Sequence, residues 1–179
     1  STSVASGATL NNAGSLSGGV INNGTTVNSN TISGTVTNNS GGTFTNNSGA
    51  TISGAVTNNS GATFDNYGVI NNTVANDGVL NLNGVPTVTG AISGAGTVNV
   101  NGTFTQQATI GASQLNINNG GTLYMNNAIT ATTATIYSGG TLVPTSTQTL
   151  FGPLNNSGTI APTSSSANLI VSGDYTQTS

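Results

Sequence analysis

The sequence predicts an all-β chain wound as a parallel β-helix, a β-solenoid of about nine rungs of 17–20 residues. Self-similarity at a fixed offset, period-two alternation within each copy and glycine-closed turns between strands carry this prediction. Residues 31–50 (TISGTVTNNSGGTFTNNSGA) and 51–70 (TISGAVTNNSGATFDNYGVI) share 13 of 20 positions at an offset of 20. A repeat of that length marks a stack of supersecondary units. Leu80-Asn81-Leu82-Asn83, Val98-Asn99-Val100-Asn101 and Leu115-Asn116-Ile117-Asn118 alternate apolar and polar, the pattern of a half-buried strand. Helical signals are missing, while Asn-Gly and Ser-Gly supply turns.

Along the chain, GATLNNAG (7–14) and GVINNG (19–24) are weak first copies. GTVTNNSG (34–41), GTFTNNSG (42–49) and GAVTNNSG (54–61) are strong ones. LNLNG (80–84), VNVNG (98–102) and LNINN (115–119) follow at offsets of 18 and 17, and ATIYSGGTL (134–142) echoes LNINNGGTL (115–123) at 19. LIVSG (169–173) reads as a late copy of the same strand. The chain is therefore expected to be one solenoid over 1–179. Asn-Asn-Ser-Gly repeats fill 1–78, and degenerate rungs fill 79–179 with a loop near 161–168.

A rung of this length holds three short strands, each pairing in parallel with the copy one rung above, about 4.8 Å away. The offsets place Ile32 under Ile52, Val36 under Val56 and Phe44 under Phe64. Further on, Ile117 falls near Ile136, and Leu123 near Leu142. Asn38-Asn39 falls under Asn58-Asn59, so stacked carboxamides are expected to bond along the rod. Each such bond contributes about 1 kcal/mol net, and an unpaired buried amide costs more. About nine rungs give a rod of roughly 40 Å.

Composition removes most chemistry. Thr 32, Asn 28, Gly 26 and Ser 21 dominate, and Lys, Arg, His, Cys and Trp are absent. The only charged side chains are Asp65, Asp77 and Asp174, for a formal net charge of −3. Nucleic-acid binding lacks the cations that displace phosphate counterions. Acid–base catalysis and zinc, haem or iron–sulfur ligation lack their usual side chains. The expectation is no enzyme, no catalytic residue, no cofactor and no metal. The apolar set is rich in β-branched residues at almost no charge, which favours strands over disorder. No apolar run approaches the ~18 residues of a membrane span. No side chain titrates near neutrality, so stability is expected to be nearly flat between about pH 5 and 9.

At its C-terminal part the chain resembles the passenger domains of bacterial autotransporter (type V secreted) proteins and related adhesins. The residues concerned are Gly158-Thr159-Ile160-Ala161-Pro162, then a loop, then Leu169-Ile170-Val171-Ser172-Gly173-Asp174-Tyr175-Thr176-Gln177. The Asn-Asn-Ser-Gly repeats and GGTL turns are similar to the same group. The resemblance implies a right-handed parallel β-helix displayed outside a bacterium, serving adhesion or cell–cell association. One departure is that neither an autochaperone region nor an outer-membrane barrel follows Ser179. The expectation is an excised fragment or a unit anchored in another way.

Several other features of the chain have both a functional and a simpler role open to them. Thr-x-Thr triplets (Thr35-Val36-Thr37, Thr43-Phe44-Thr45, Thr87-Val88-Thr89, Thr103-Phe104-Thr105) could order water as ice-binding faces do. As triplets, however, they do not survive one rung: Thr35/Thr37 becomes Ala55/Thr57, and Thr43/Thr45 becomes Thr63/Asp65. Asp65, Asp77 and Asp174 are too scattered for a glycosidase pair or a calcium loop. Tyr67, Tyr124, Tyr137, Tyr175 and Phe151 are the aromatics expected at the surface, able to stack on sugars or anchor a protein. Sequons at Asn38, Asn46, Asn58 and Asn155 read as turn residues. The function expected is an extracellular, cell-surface structural subunit that self-associates head to tail into a filament. The alternative is an adhesin passenger whose flank meets a glycan or a protein. Neither nucleic acid nor direct membrane insertion is expected.

Overall fold

A computed structural model describes residues 1–178. Among them every named strand pairing is parallel, and no helix occurs. Strands on a first face stack as Thr2–Val4, Val20–Asn22, Val36–Asn38, Val56–Asn58, Val74–Asn76 and Ile92–Ser93. The column continues through Ile110, Ile129, Leu150 and Val171. A second face runs in step from Thr9–Asn12 to Tyr175–Gln177. A third carries Leu16, Ile32, Ile52, Ile70 and Val88, then Phe104, Leu123, Leu142 and Ile160. The result is nine three-sided turns and a tenth with two strands, about ten in all, against the nine expected. Partners one turn apart are separated by 16 to 21 residues.

One continuous apolar core fills the rod. Phe44 and Phe64 stack with centroids 4.7 Å apart and planes 6° from parallel. Ile32 pairs with Ile52, Val36 with Val56, Ile117 with Ile136 and Leu123 with Leu142, and all eight are buried.

Two kinds of corner follow the first- and second-face strands. The longer is a four-residue turn such as Asn39-Ser40-Gly41-Gly42, where the Gly42 N–H donates to Asn39 O at 2.8 Å and Gly41 has φ +79°. That positive φ at the third position is why Ser-Gly recurs in the repeat. The shorter is Asn-x-Gly, as in Asn66-Tyr67-Gly68. A Cβ on Gly68 would run into the carbonyl oxygens of Ala50 and Asn47 one turn below.

Two features depart from the sequence pattern. Leu169–Val171 lies on the first face against Gln148–Leu150, not on the second face with LNLNG. Period-two alternation is the same on every face, so it cannot say which face a strand joins. The third face is also two sheets rather than one. The Thr103 N–H donates to Gly84 O at 2.7 Å, so the upper sheet begins over residues 84–86 instead of over Thr87–Val88. Pro86 has no N–H to extend the lower ladder at that point.

Candidate functional site

The interior carries amide ladders as well as hydrocarbon. On the first face Asn22 Nδ2 donates to Asn38 Oδ1 (2.8 Å), Asn38 to Asn58 (2.9 Å), Asn58 to Asn76 (2.8 Å), and Asn76 to Thr97 O (2.9 Å). On the second face Asn12 donates to Asn28 (2.7 Å), Asn28 to Asn46 (2.8 Å) and Asn46 to Asn66 (2.9 Å). All of these are buried, so each bond replaces water that cannot reach it. Asn66 Nδ2 is the one buried side-chain N or O without a partner among the described residues. Its neighbour above is Leu82, where the column turns aliphatic through Val100, Ile117 and Ile136.

Outer rows donate the other way. Asn59 Nδ2 donates to Asn39 Oδ1 and Asn39 to Asn23, both at 2.9 Å. On the second face Asn116 donates to Asn99 (2.9 Å), Asn99 to Asn81 (2.8 Å), and Asn81 to the Asp65 carboxylate (2.7 Å). A parallel row runs Asn118 to Asn101 (2.6 Å) to Asn83 (2.9 Å). Interior donors thus point toward the C-terminal end and these outer donors toward the N-terminal end, so the two sets of amide dipoles oppose each other. Nothing in the residue pattern revealed this opposition, because Asn reads the same whichever way its amide is turned.

The three carboxylates are placed apart. Asp65 ends the outer row, Asp77 accepts the Ala95 N–H at 2.9 Å, and Asp174 is exposed in the tenth turn. Among the described residues no three His, Cys, Asp or Glu gather as a metal site. The sequon asparagines Asn38, Asn46 and Asn58 are not turn residues but buried strand ends committed to ladders, whereas Asn155 is exposed. Threonine does form ranks, each one residue wide: Thr103, Thr122, Thr141 and Thr159 align on the third face.

Two regions are open. Ile160, Pro162, Ala167, Leu169, Val171 and Tyr175 line an end concavity of about 410 Å³, with the 161–168 loop on its rim. Tyr67 and Tyr137 project from the second-face flank, and Phe151 and Ile170 from the first face. Tyr124 is half-buried on the third face. No protein-family model matches the chain, and neither does any curated protein or solved structure.

Proposed function

We propose that the chain is a structural, non-enzymatic subunit of an extracellular cell-surface fibre, adding head to tail to copies of itself. The observation that carries this reading is the state of the two end turns. At the N-terminal end Leu10 and Leu16 are only half-buried. At the other end Leu169 and Val171 are half-buried beside the concavity, and Ile170 and Tyr175 are exposed. Both ends present strand edges, which recruit further strands unless charge or cover deters them. Asp174 is the only charged side chain there.

The second-face amide column adds polarity. At its start Asn12 Oδ1 accepts no hydrogen bond from the described residues. At its end Asn156 Nδ2 donates to Gln177 Oε1 at 2.9 Å, and Gln177 Nε2 spends one hydrogen on Thr178 O. A free donor at one end and a free acceptor at the other suit a heterologous contact, which propagates as an open filament. A surface without Lys or Arg offers no site to trypsin-like proteases, which suits an exposed location.

Negative-stain microscopy of the purified chain tests the proposal. Filaments are expected. Single rods about 40–45 Å long that stay dispersed at high concentration would contradict it.

A further inference from the structure

The flank of the second face carries a feature independent of what occupies the ends. Tyr67, Asn83, Asn101, Asn118 and Tyr137 each follow a second-face strand. Their backbone N–H groups donate to Asn46, Asn66, Leu82, Val100 and Ile117 one turn below, at 2.8–3.0 Å. They therefore form one outward column, one residue per turn, about 19 Å long at ~4.8 Å per step. Two residues earlier in each turn lie Asp65, Asn81, Asn99 and Asn116 in the adjacent outward column. The residues between the columns, Asn66, Leu82, Val100 and Ile117, are buried. The flank is thus a field of six carboxamides, two wide and three turns tall, with a tyrosine at each end. Tyr67 is 42 % exposed and Tyr137 47 %.

We propose that this field binds a neutral, extended polysaccharide lying along the rod axis. The two rings supply stacking platforms with an apolar face and a polar tip. A carboxamide offers two N–H donors and two acceptor positions. At the middle rungs the ladder uses one of each at Asn81, Asn99 and Asn101, leaving one of each for sugar hydroxyls. Because the ladder already fixes these amides, binding costs little further side-chain ordering. A hexose in an extended chain is about 5 Å long, close to the ~4.8 Å step between turns, so successive rings meet equivalent amides. Charge selects the class. The flank has no cation, and its one carboxylate, Asp65, repels anionic polymers. Nucleic acid and uronic-acid chains are disfavoured on that ground.

Titration of the full chain with cellohexaose, followed by tyrosine emission in a protein without tryptophan, tests the site. Saturable binding is expected. Tyr67→Ala with Tyr137→Ala should weaken it at least tenfold, while Tyr175→Ala, off the flank, should leave it unchanged. Asn101→Ser keeps both rings and should weaken binding by a smaller factor. Thermal melting of each variant confirms that the fold is retained. The proposal is overturned if cellohexaose does not bind, if the double tyrosine variant binds as tightly as the parent, or if an oligogalacturonate binds equally well. None of these outcomes bears on whether the chain forms filaments.

Discussion

A buried carboxamide is fully satisfied here only where the turn above puts an acceptor, side-chain or backbone, within its reach. Asn58 accepts from Asn38 and donates to Asn76 Oδ1 and to Val79 O at 3.0 Å. Asn66 accepts from Asn46 but donates to nothing described. Replacing each with leucine, which branches at the same atom but cannot hydrogen-bond, separates the two cases. Asn58→Leu orphans polar atoms on both neighbours and should lower stability by about 2–4 kcal/mol. Asn66→Leu removes one orphan and extends the aliphatic column to Leu82, but it takes an acceptor from Asn46 Nδ2 and from the Gly68 N–H, so it should cost less than Asn58→Leu, about 1–2 kcal/mol. Urea unfolding midpoints decide this, and equal losses would mean the ladder bonds contribute little. The stacking of Asn38-Asn39 on Asn58-Asn59 was legible because a 20-residue offset is visible in the letters. That Asn38 is buried, with Asn39 on an outer row running the opposite way, was not. Those properties depend on which way the side chain alternates out of the strand and on how its amide is rotated.

Among elements, the corners decide how closely the turns approach. Gly41 sits at φ +79° with open space where a Cβ would go, so Gly41→Ala should cost about 1–2 kcal/mol in backbone strain alone. A Cβ at Gly68 would instead meet backbone carbonyls of the turn beneath. Gly68→Ala should therefore force two turns apart and cost about 3 kcal/mol or more. Thermal melting of the two variants would contradict this if Gly41→Ala were the more damaging. The strands were readable one at a time, but their distribution among faces was only partly so. Along the chain the corner between first and second faces shortens from residues 59–62, between Val56–Asn58 and Thr63–Asn66, to no break in the seventh and eighth turns. There Ile110–Ile117 and Ile129–Ile136 run straight through as single strands. Corner length has no signature in an apolar–polar alternation, which is why Leu169–Val171 could be mistaken for a second-face strand.

For the whole molecule, stability must come from stacked columns and ladder bonds, because three carboxylates and no cations leave nothing to form side-chain ion pairs. Melting temperature should then vary little between about pH 5 and 9, and a strong shift across that window would contradict it. Assembly gives a sharper handle. Gln177→Glu keeps an acceptor for Asn156 Nδ2 but, once ionised, has no hydrogen to donate to the next copy's Asn12. Filaments of this variant should be lost or shortened at pH 7. They should recover below about pH 4, where a glutamate of ordinary pKa is protonated and donates again. The parent chain should assemble alike at both values. Filaments unaffected by the change would place the joint elsewhere while leaving self-association standing.

The ends, the flank and the ladders all depend on turns stacked in one register, and a chain without cysteine allows that register to be probed covalently. Thr37 and Thr57 are partners one turn apart, and Ala75 is the partner of Thr57 on the next. Neighbours at about 4.8 Å lie within disulfide reach, and next-but-one positions at about 9.6 Å do not. Mild oxidation should therefore close a disulfide in Thr37→Cys/Thr57→Cys and leave Thr37→Cys/Ala75→Cys reduced. Crosslinking of the second pair alone, or of both equally, would contradict the stacked register.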